Sequence, residues 1–185
     1  MKELQLLTPT DPRVLSSIAP FTDDMLKEHD YKTREEVCKD MEAAMLKYGG
    51  IGLSANQVGL PFRMFLCGGH PTIEKGLLMK VFNPVIISAS TETTMFKEGC
   101  LTFPFIFLSI RRPRKIVVKY EDEKGDLREA HLDGMMSRIF QHEYDHMQGI
   151  VFTEKVSKLK LDMAKKKATK EMEKIKKYRE LNAGV

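Results

Sequence analysis

The run Gln141-His142-Glu143-Tyr144-Asp145-His146 constrains this chain more than any other stretch. On an α-helix, residues four apart stack on one face about one turn from each other, so both imidazoles can reach a single ion. Glu143 sits roughly 100° around the helix from His142. It misses the ligand positions yet can meet a water activated there. Met135 and Ile139 share the histidine face, so the fold must bury this helix and hold its rings in a partly dry pocket. The pattern predicts a helix over Gly134 to Gln148, with Asp133 as cap and Gly149 just past its end. HExxH spacing is that of metal-dependent hydrolases. Two structural histidines in a core are the bland alternative, and a third ligand decides between them.

Downstream of His146 there is no histidine, and the nearest acid is Glu154. A peptidase that takes its third ligand from downstream finds little there. Upstream, Glu98-Gly99-Cys100-Leu101 presents a cysteine in a glycine-containing, non-helical segment. A thiolate with two imidazoles would suit zinc or iron(II); taken alone, Cys100 reads more often as a buried thiol. Three cysteines, Cys38, Cys67 and Cys100, are too few and too odd for a disulfide framework and point to a reducing compartment. A further stretch, Gly50-Ile51-Gly52-Leu53-Ser54-Ala55-Asn56-Gln57, combines glycines that let a backbone approach a ligand with the neutral amide donor of Gln57. It lacks the GK[ST] ending of a phosphate loop, so it does not indicate nucleotide binding.

A length of 185 residues suits one domain. Thr33 to Tyr48 reads as an amphipathic helix that opens on a Thr33–Glu36 capping box and ends at Gly49-Gly50. Its core face is Val37, Cys38, Met41, Ala44, Met45 and Tyr48, which makes Cys38 a small buried hydrophobe. Short strands follow at Met64 to Cys67, and at Val81-Phe82 and Val85 to Ile87 on either side of Asn83-Pro84. Lys115 to Tyr120 and Leu127 to Leu132 flank a polar turn and form a hairpin. Strands in the middle with helices at the ends argue for an α+β class.

Beyond Ser157 comes a Lys/Glu-rich helix whose sparse apolar positions are Leu159, Met163, Met172, Ile175 and Tyr178. Residues 155–185 hold 11 Lys and Arg against 4 Asp and Glu, a net of +7, while residues 1–154 carry −3, which together give the chain's +4. The basic character therefore belongs to the tail. A solvated Lys/Glu face is the bland reading, and attraction to RNA phosphates the functional one. No apolar run approaches the roughly 20 residues of a membrane span, and Met1 to Gln5 lacks a secretory stretch. The expectation is a cytoplasmic protein with no membrane partner and no specific DNA partner.

Taken together, Gly50 to Gln57, Glu98 to Thr102 and Gln141 to His146 stand in the order and rough spacing of the peptide deformylase family, which the chain resembles over about residues 5 to 155. The resemblance implies one α+β domain of mixed or antiparallel β-sheets surrounding the central HExxH helix. Residues 1–156 would be the catalytic domain, and residues 157–185 a basic C-terminal helix packed on it or extending from it. It implies removal of the N-formyl group from the N-terminal methionine of new polypeptides, with release of formate. Cys100, His142 and His146 would bind one divalent metal ion, usually iron(II), with zinc, nickel or cobalt able to replace it. Glu143 would be general base and proton shuttle, and Gln57 with the backbone N–H of Leu101 would steady the oxyanion. Main chain around Ile51, Gly52 and Gly99 would pair with an N-formylmethionyl peptide. The methionine pocket would include Ile51, Met135, Ile139 and His142, and Glu98 would pair with Arg112. Some family members bind the ribosome through a C-terminal helix, and the basic tail is read by analogy with them. Three departures stand out: Ser54 where alanine is usual, Thr102 where serine is usual, and Met147 where leucine is usual. Phe103 to Leu108 is also more apolar than the bacterial pattern. A metallopeptidase with another third ligand, or a non-catalytic metal-stabilised protein that binds the ribosome, are the competing classes.

Overall fold

Alternate side chains along Met64-Phe65-Leu66-Cys67 point to opposite sides. All four are apolar, so the strand they form must be covered twice. The structure, a computed structural model, describes residues 2–182. In chain order its elements are α1 (Asp24–Glu28), α2 (Arg34–Lys47), β1 (Gly52–Ser54), β2 (Met64–Gly68), β3 (Leu78–Ala89), β4 (Thr93–Cys100), β5 (Phe103–Pro113), β6 (Ile116–Glu121), β7 (Leu127–Leu132), α3 (Gly134–Met147) and α4 (Lys158–Asn182). Five strands form one sheet in the order β1-β2-β3-β6-β7, β4 and β5 form a second, and every pairing is antiparallel. Met64 and Leu66 join a core with Val37, Met41 and Met45 of α2. Phe65 and Cys67 join another with Met136, Ile139 and Phe140 of α3. Phe65 and Phe140 meet edge to face with ring centroids 4.9 Å apart, a favoured aromatic geometry.

Local chemistry sets the ends of the two main helices. Thr33 Oγ1 accepts from the Glu36 amide at 3.3 Å, as the capping motif predicts. The reciprocal half is shifted by one residue, since the Glu36 carboxylate accepts from the Lys32 amide at 2.7 Å. The Asp133 side chain accepts from the amide of Gly134, whose φ of +57 lets the chain turn into α3.

Three features depart from the sequence reading. Val81-Phe82 and Val85 to Ile87 belong to one strand, β3, interrupted by a register shift between Phe82 and Val85. Asn83 holds that bulge at φ +47; its amide donates to the Arg63 carbonyl at 2.9 Å. Its side chain accepts from Phe21 N–H at 2.7 Å and donates to the Phe21 carbonyl and Glu121, each at 3.0 Å. Second, the β4–β5 hairpin spans a region in which the sequence reading placed no strands. Third, α4 docks through Leu161, Ala164 and Ala168, whereas Leu159 and Met163 are exposed. Alanine is a weak sequence signal, yet its small side chain lets α4 lie close to Leu108 and Ile110 of β5 and to Phe152. Among the described residues no helix is long and apolar enough to cross a membrane.

Helix α3 thus lies between the two sheets. Phe140 is fully buried in the core shared with the five-stranded sheet, and truncating a core phenylalanine typically costs about 3–5 kcal/mol. Phe140→Ala is expected to lower unfolding free energy by that amount in urea denaturation; a loss below about 1 kcal/mol would contradict this packing.

Candidate active site

Three side chains from two elements converge between the sheets. Cys100 ends β4, and His142 and His146 lie one turn apart on α3. One ligand atom from each lies within 4.8 Å of the other two, and Cys100 Sγ is 3.4 Å from His146 Nε2. Both histidines are buried and Cys100 is half-buried. A soft thiolate beside two borderline imidazoles suits zinc or iron(II) rather than magnesium or calcium.

Glu98, two residues before Cys100, orients His142 by accepting from its Nδ1 at 2.9 Å. That bond leaves Nε2 for an ion, the arrangement in which a carboxylate fixes the tautomer of a metal-binding histidine. Arg112 grips the same carboxylate twice, Nε to Oε1 at 2.6 Å and Nη2 to Oε2 at 2.9 Å. Arg138 adds a bond to Oε1 at 2.8 Å and ties itself to the Ile110 carbonyl at 3.0 Å. Arg112 also reaches Asp145 at 2.6 Å. Burial alone would raise the Glu98 pKa, but Arg112 and His142 together hold it far below the ordinary carboxylate range. Burial likewise lowers His142, yet hydrogen bonds to Cys100 and Glu98 push it up to about 10. Burial, with the charges of His142 and Arg112, holds His146 well below its usual value. Anionic neighbours thus favour positive charge at His142, which is consistent with the fit to a cation.

Glu143 lies against β1. A Cβ on Gly52 would stand 2.5 Å from Glu143 Oε1, so only glycine leaves room there. Ser54 Oγ donates to Glu143 Oε2 at 2.6 Å. Burial raises the Glu143 pKa, opposed by the positive charge of His142 and by this hydroxyl. Gln57 accepts from the Ser54 amide at 2.8 Å. Its NH2 group lies 2.9 Å from Thr102 Oγ1 and 3.3 Å from Cys100 Sγ. A cleft of about 880 Å3 opens over these groups. Ile51, Gly52, Gln57, Gly99, Cys100, Leu101, Met135, Ile139, His142 and Glu143 all line it, while His146 lies behind the wall. Phe105 and Phe107 of β5 continue the wall as exposed rings.

The sequence reading missed Arg138, Asp145 and the Ser54–Glu143 bond. Arg138 precedes His142 by four residues and so shares its helix face; that spacing was the available signal. Nothing in the sequence announces Asp145 or the Ser54 contact, because both depend on how β1 and β5 lie against α3.

The family model for polypeptide deformylase matches residues 6–162. A peptide deformylase of Christiangramia forsetii is 38% identical over 168 aligned positions, covering 81% of this chain and 86% of the relative. The crystal structure of an Ehrlichia chaffeensis peptide deformylase in complex with actinonin superposes with a TM-score of 0.79 at 33% identity, over 92% of this chain and 98% of that one. That of the Thermotoga maritima peptide deformylase gives 0.75 at 31% identity, over 85% and 99%.

The three thiols differ sharply in surroundings. Burial pushes Cys38 up to about 12, and burial with the nearby Glu143 charge raises Cys67 well above the ordinary range. Cys100 lines the cleft. In chelator-treated native protein, Ellman's reagent is therefore expected to titrate one thiol quickly, with all three titrating in guanidinium. A fast second thiol, or a fast thiol persisting in Cys100→Ser, would contradict this assignment.

Proposed function

The chain belongs to the polypeptide deformylase family, and from that premise we propose how its own residues carry out the family's reaction. It is a metal-dependent hydrolase that removes the N-formyl group from nascent peptides. The observation that carries the assignment of residues is the convergence of Cys100, His142 and His146 within 4.8 Å of one another, with Glu143 next in sequence to His142.

In this reading those three side chains hold one divalent ion, iron(II) in the cell, with zinc, nickel or cobalt as substitutes. The bound ion supplies the Lewis acidity that makes water a nucleophile near neutral pH. Glu143 takes the proton as the water oxygen adds to the formyl carbon. Gln57 and the Leu101 amide donate to the carbonyl oxygen as negative charge develops on it; losing one such donor typically costs about 10²–10³ in rate. The C–N bond then breaks, Glu143 passes its proton to the departing amine, and formate and the free N-terminus result. Backbone at Ile51, Gly52 and Gly99 aligns the N-formylmethionyl peptide in extended form. Ile51, Met135, Ile139 and the His142 ring receive the methionine side chain. Glu98 keeps His142 in the ligating tautomer.

Residues 1–156 act as the catalytic domain, and 157–185 as a basic extension whose helix α4 docks on β5 through Leu161 and Ala164. We place the enzyme in the cytoplasm, with its tail drawn to ribosomal RNA phosphates. Support for the tail reading is that α4 seats Leu161, Ala164 and Ala168 on the body while Lys165, Lys166, Lys167 and Lys170 remain exposed. Reversing these four lysines to glutamate is expected to abolish co-sedimentation with ribosomes at low salt, without loss of turnover. Equal co-sedimentation of variant and parent, or none by either, removes this reading.

The main test is formate release from formyl-Met-Ala-Ser by protein purified without oxygen, followed by measurement of bound metals. Glu143→Gln is expected to keep its metal and lose nearly all turnover, whereas Cys100→Ala is expected to lose its metal on dialysis. Wild-type turnover in the first variant, or full metal content in the second, would overturn the respective role.

A further inference from the structure

Ser54 closes β1, is fully buried, and takes no part in the cleft wall. Its hydroxyl lies 2.6 Å from Glu143 Oε2 and 3.2 Å from the Glu143 carbonyl. A hydroxyl has one proton to donate, and the shorter contact, to the carboxylate, receives it. Two residues earlier, on the same side of the strand, Gly52 meets the other carboxylate oxygen, Oε1, by leaving it room. The two oxygens of one carboxylate are therefore treated differently. Oε2 is bonded to a buried hydroxyl, and Oε1 rests against Gly52, which lines the cleft.

We propose that Ser54 is a positioning residue for the base: its hydroxyl fixes Oε2 of Glu143 and so presents Oε1 to the reacting water and amine. This rests on the assignment of Glu143 as base. Without the tether, the terminal torsion of a glutamate is broad and roughly two-fold, and a proton acceptor that must be aligned in the transition state loses part of that alignment. Ser54 has a second link to the site, because its amide donates to Gln57 Oε1 at 2.8 Å. The two links are separable. A change of side chain removes the hydroxyl and keeps the amide, so Ser54→Ala addresses the base and leaves the hold on Gln57 in place.

The experiment compares wild type, Ser54→Ala and Ser54→Thr as metal-loaded, full-length enzymes, measuring kcat, KM, bound metal and thermal midpoint with formyl-Met-Ala-Ser. Ser54→Ala is expected to lower kcat about 10-fold, the scale of one hydrogen bond to a charged group, with KM within about twofold and metal content unchanged. Ser54→Thr, which keeps a hydroxyl, is expected to stay within about threefold of wild type. Wild-type kcat in Ser54→Ala overturns the proposal, as does a loss confined to KM or one that follows loss of metal. Should Ser54→Ala fail to fold, a kcat near wild type for Ser54→Thr supports the proposal and a drop of about 10-fold or more overturns it. The wild-type arm separates this from the assigned reaction: no formate from wild type overturns that reaction, whereas turnover matched by Ser54→Ala overturns only the role of Ser54.

Discussion

The buried carboxylate of Glu98 is the junction on which the site depends. It sits on β4 and is bonded by Arg112 from β5 and by Arg138 and His142 from α3. The β4–β5 hairpin and the later helix α3 are thereby fixed around one anion. A lone charge at this depth would be prohibitive, but two guanidinium groups and an imidazole satisfy it, and Asp145, paired with Arg112, offsets the excess positive charge. Removing one member of such a set typically costs about 3–5 kcal/mol, because the remaining charges stay buried. The same bonds set the tautomer of His142, so stability and ligation rest on a single group.

The site's two halves come from opposite sides of α3. Hairpin β4–β5 brings Cys100, Gly99 and Leu101, while β1 and the turn after it bring Gly52, Ser54 and Gln57. Contacts bridge the halves: Gln57 with Cys100 and Thr102, and Ser54 with Glu143. Alignment of base, oxyanion donors and ligands is therefore a property of how the strands pack on the helix. Ser54, outside the cleft wall, and Arg138, which lines it, take part in it through hydrogen bonds.

Much of this was legible in the sequence. The α3 helix, its Asp133 cap, Cys38 in the core and the β6–β7 hairpin follow from periodicity and turn chemistry, because each depends on residues within a few positions. The distant cysteine could be weighed only by its residue type and by family resemblance, since spacing cannot say which loop returns to the helix. The β4–β5 hairpin is not signalled by the sequence because its run of aromatic residues includes Pro104, which is atypical of strands. The apolar positions of α4 likewise do not reveal its docking face, since Leu159 and Met163 are exposed. Leu161 and Ala164 pack on the body, and Ala168 is buried on the same helix.

Because β2 is buried on both faces, its apolar pattern does not set its pairing. In a strand with one wet face, a slip by one residue would bring polar groups into the core and be rejected. Met64, Phe65, Leu66 and Cys67 carry no such penalty, since either side accepts them. The Asn83 bulge supplies the missing reference point: its backbone holds Arg63, at the edge of β2, and its side chain holds Phe21 and Glu121. In folding terms, a polar kink specifies which of several nearly equivalent apolar alignments becomes the native one. Since Gly52 pairs with Cys67 and Ser54 with Phe65, the alignment of the base with its partners is inherited from that choice.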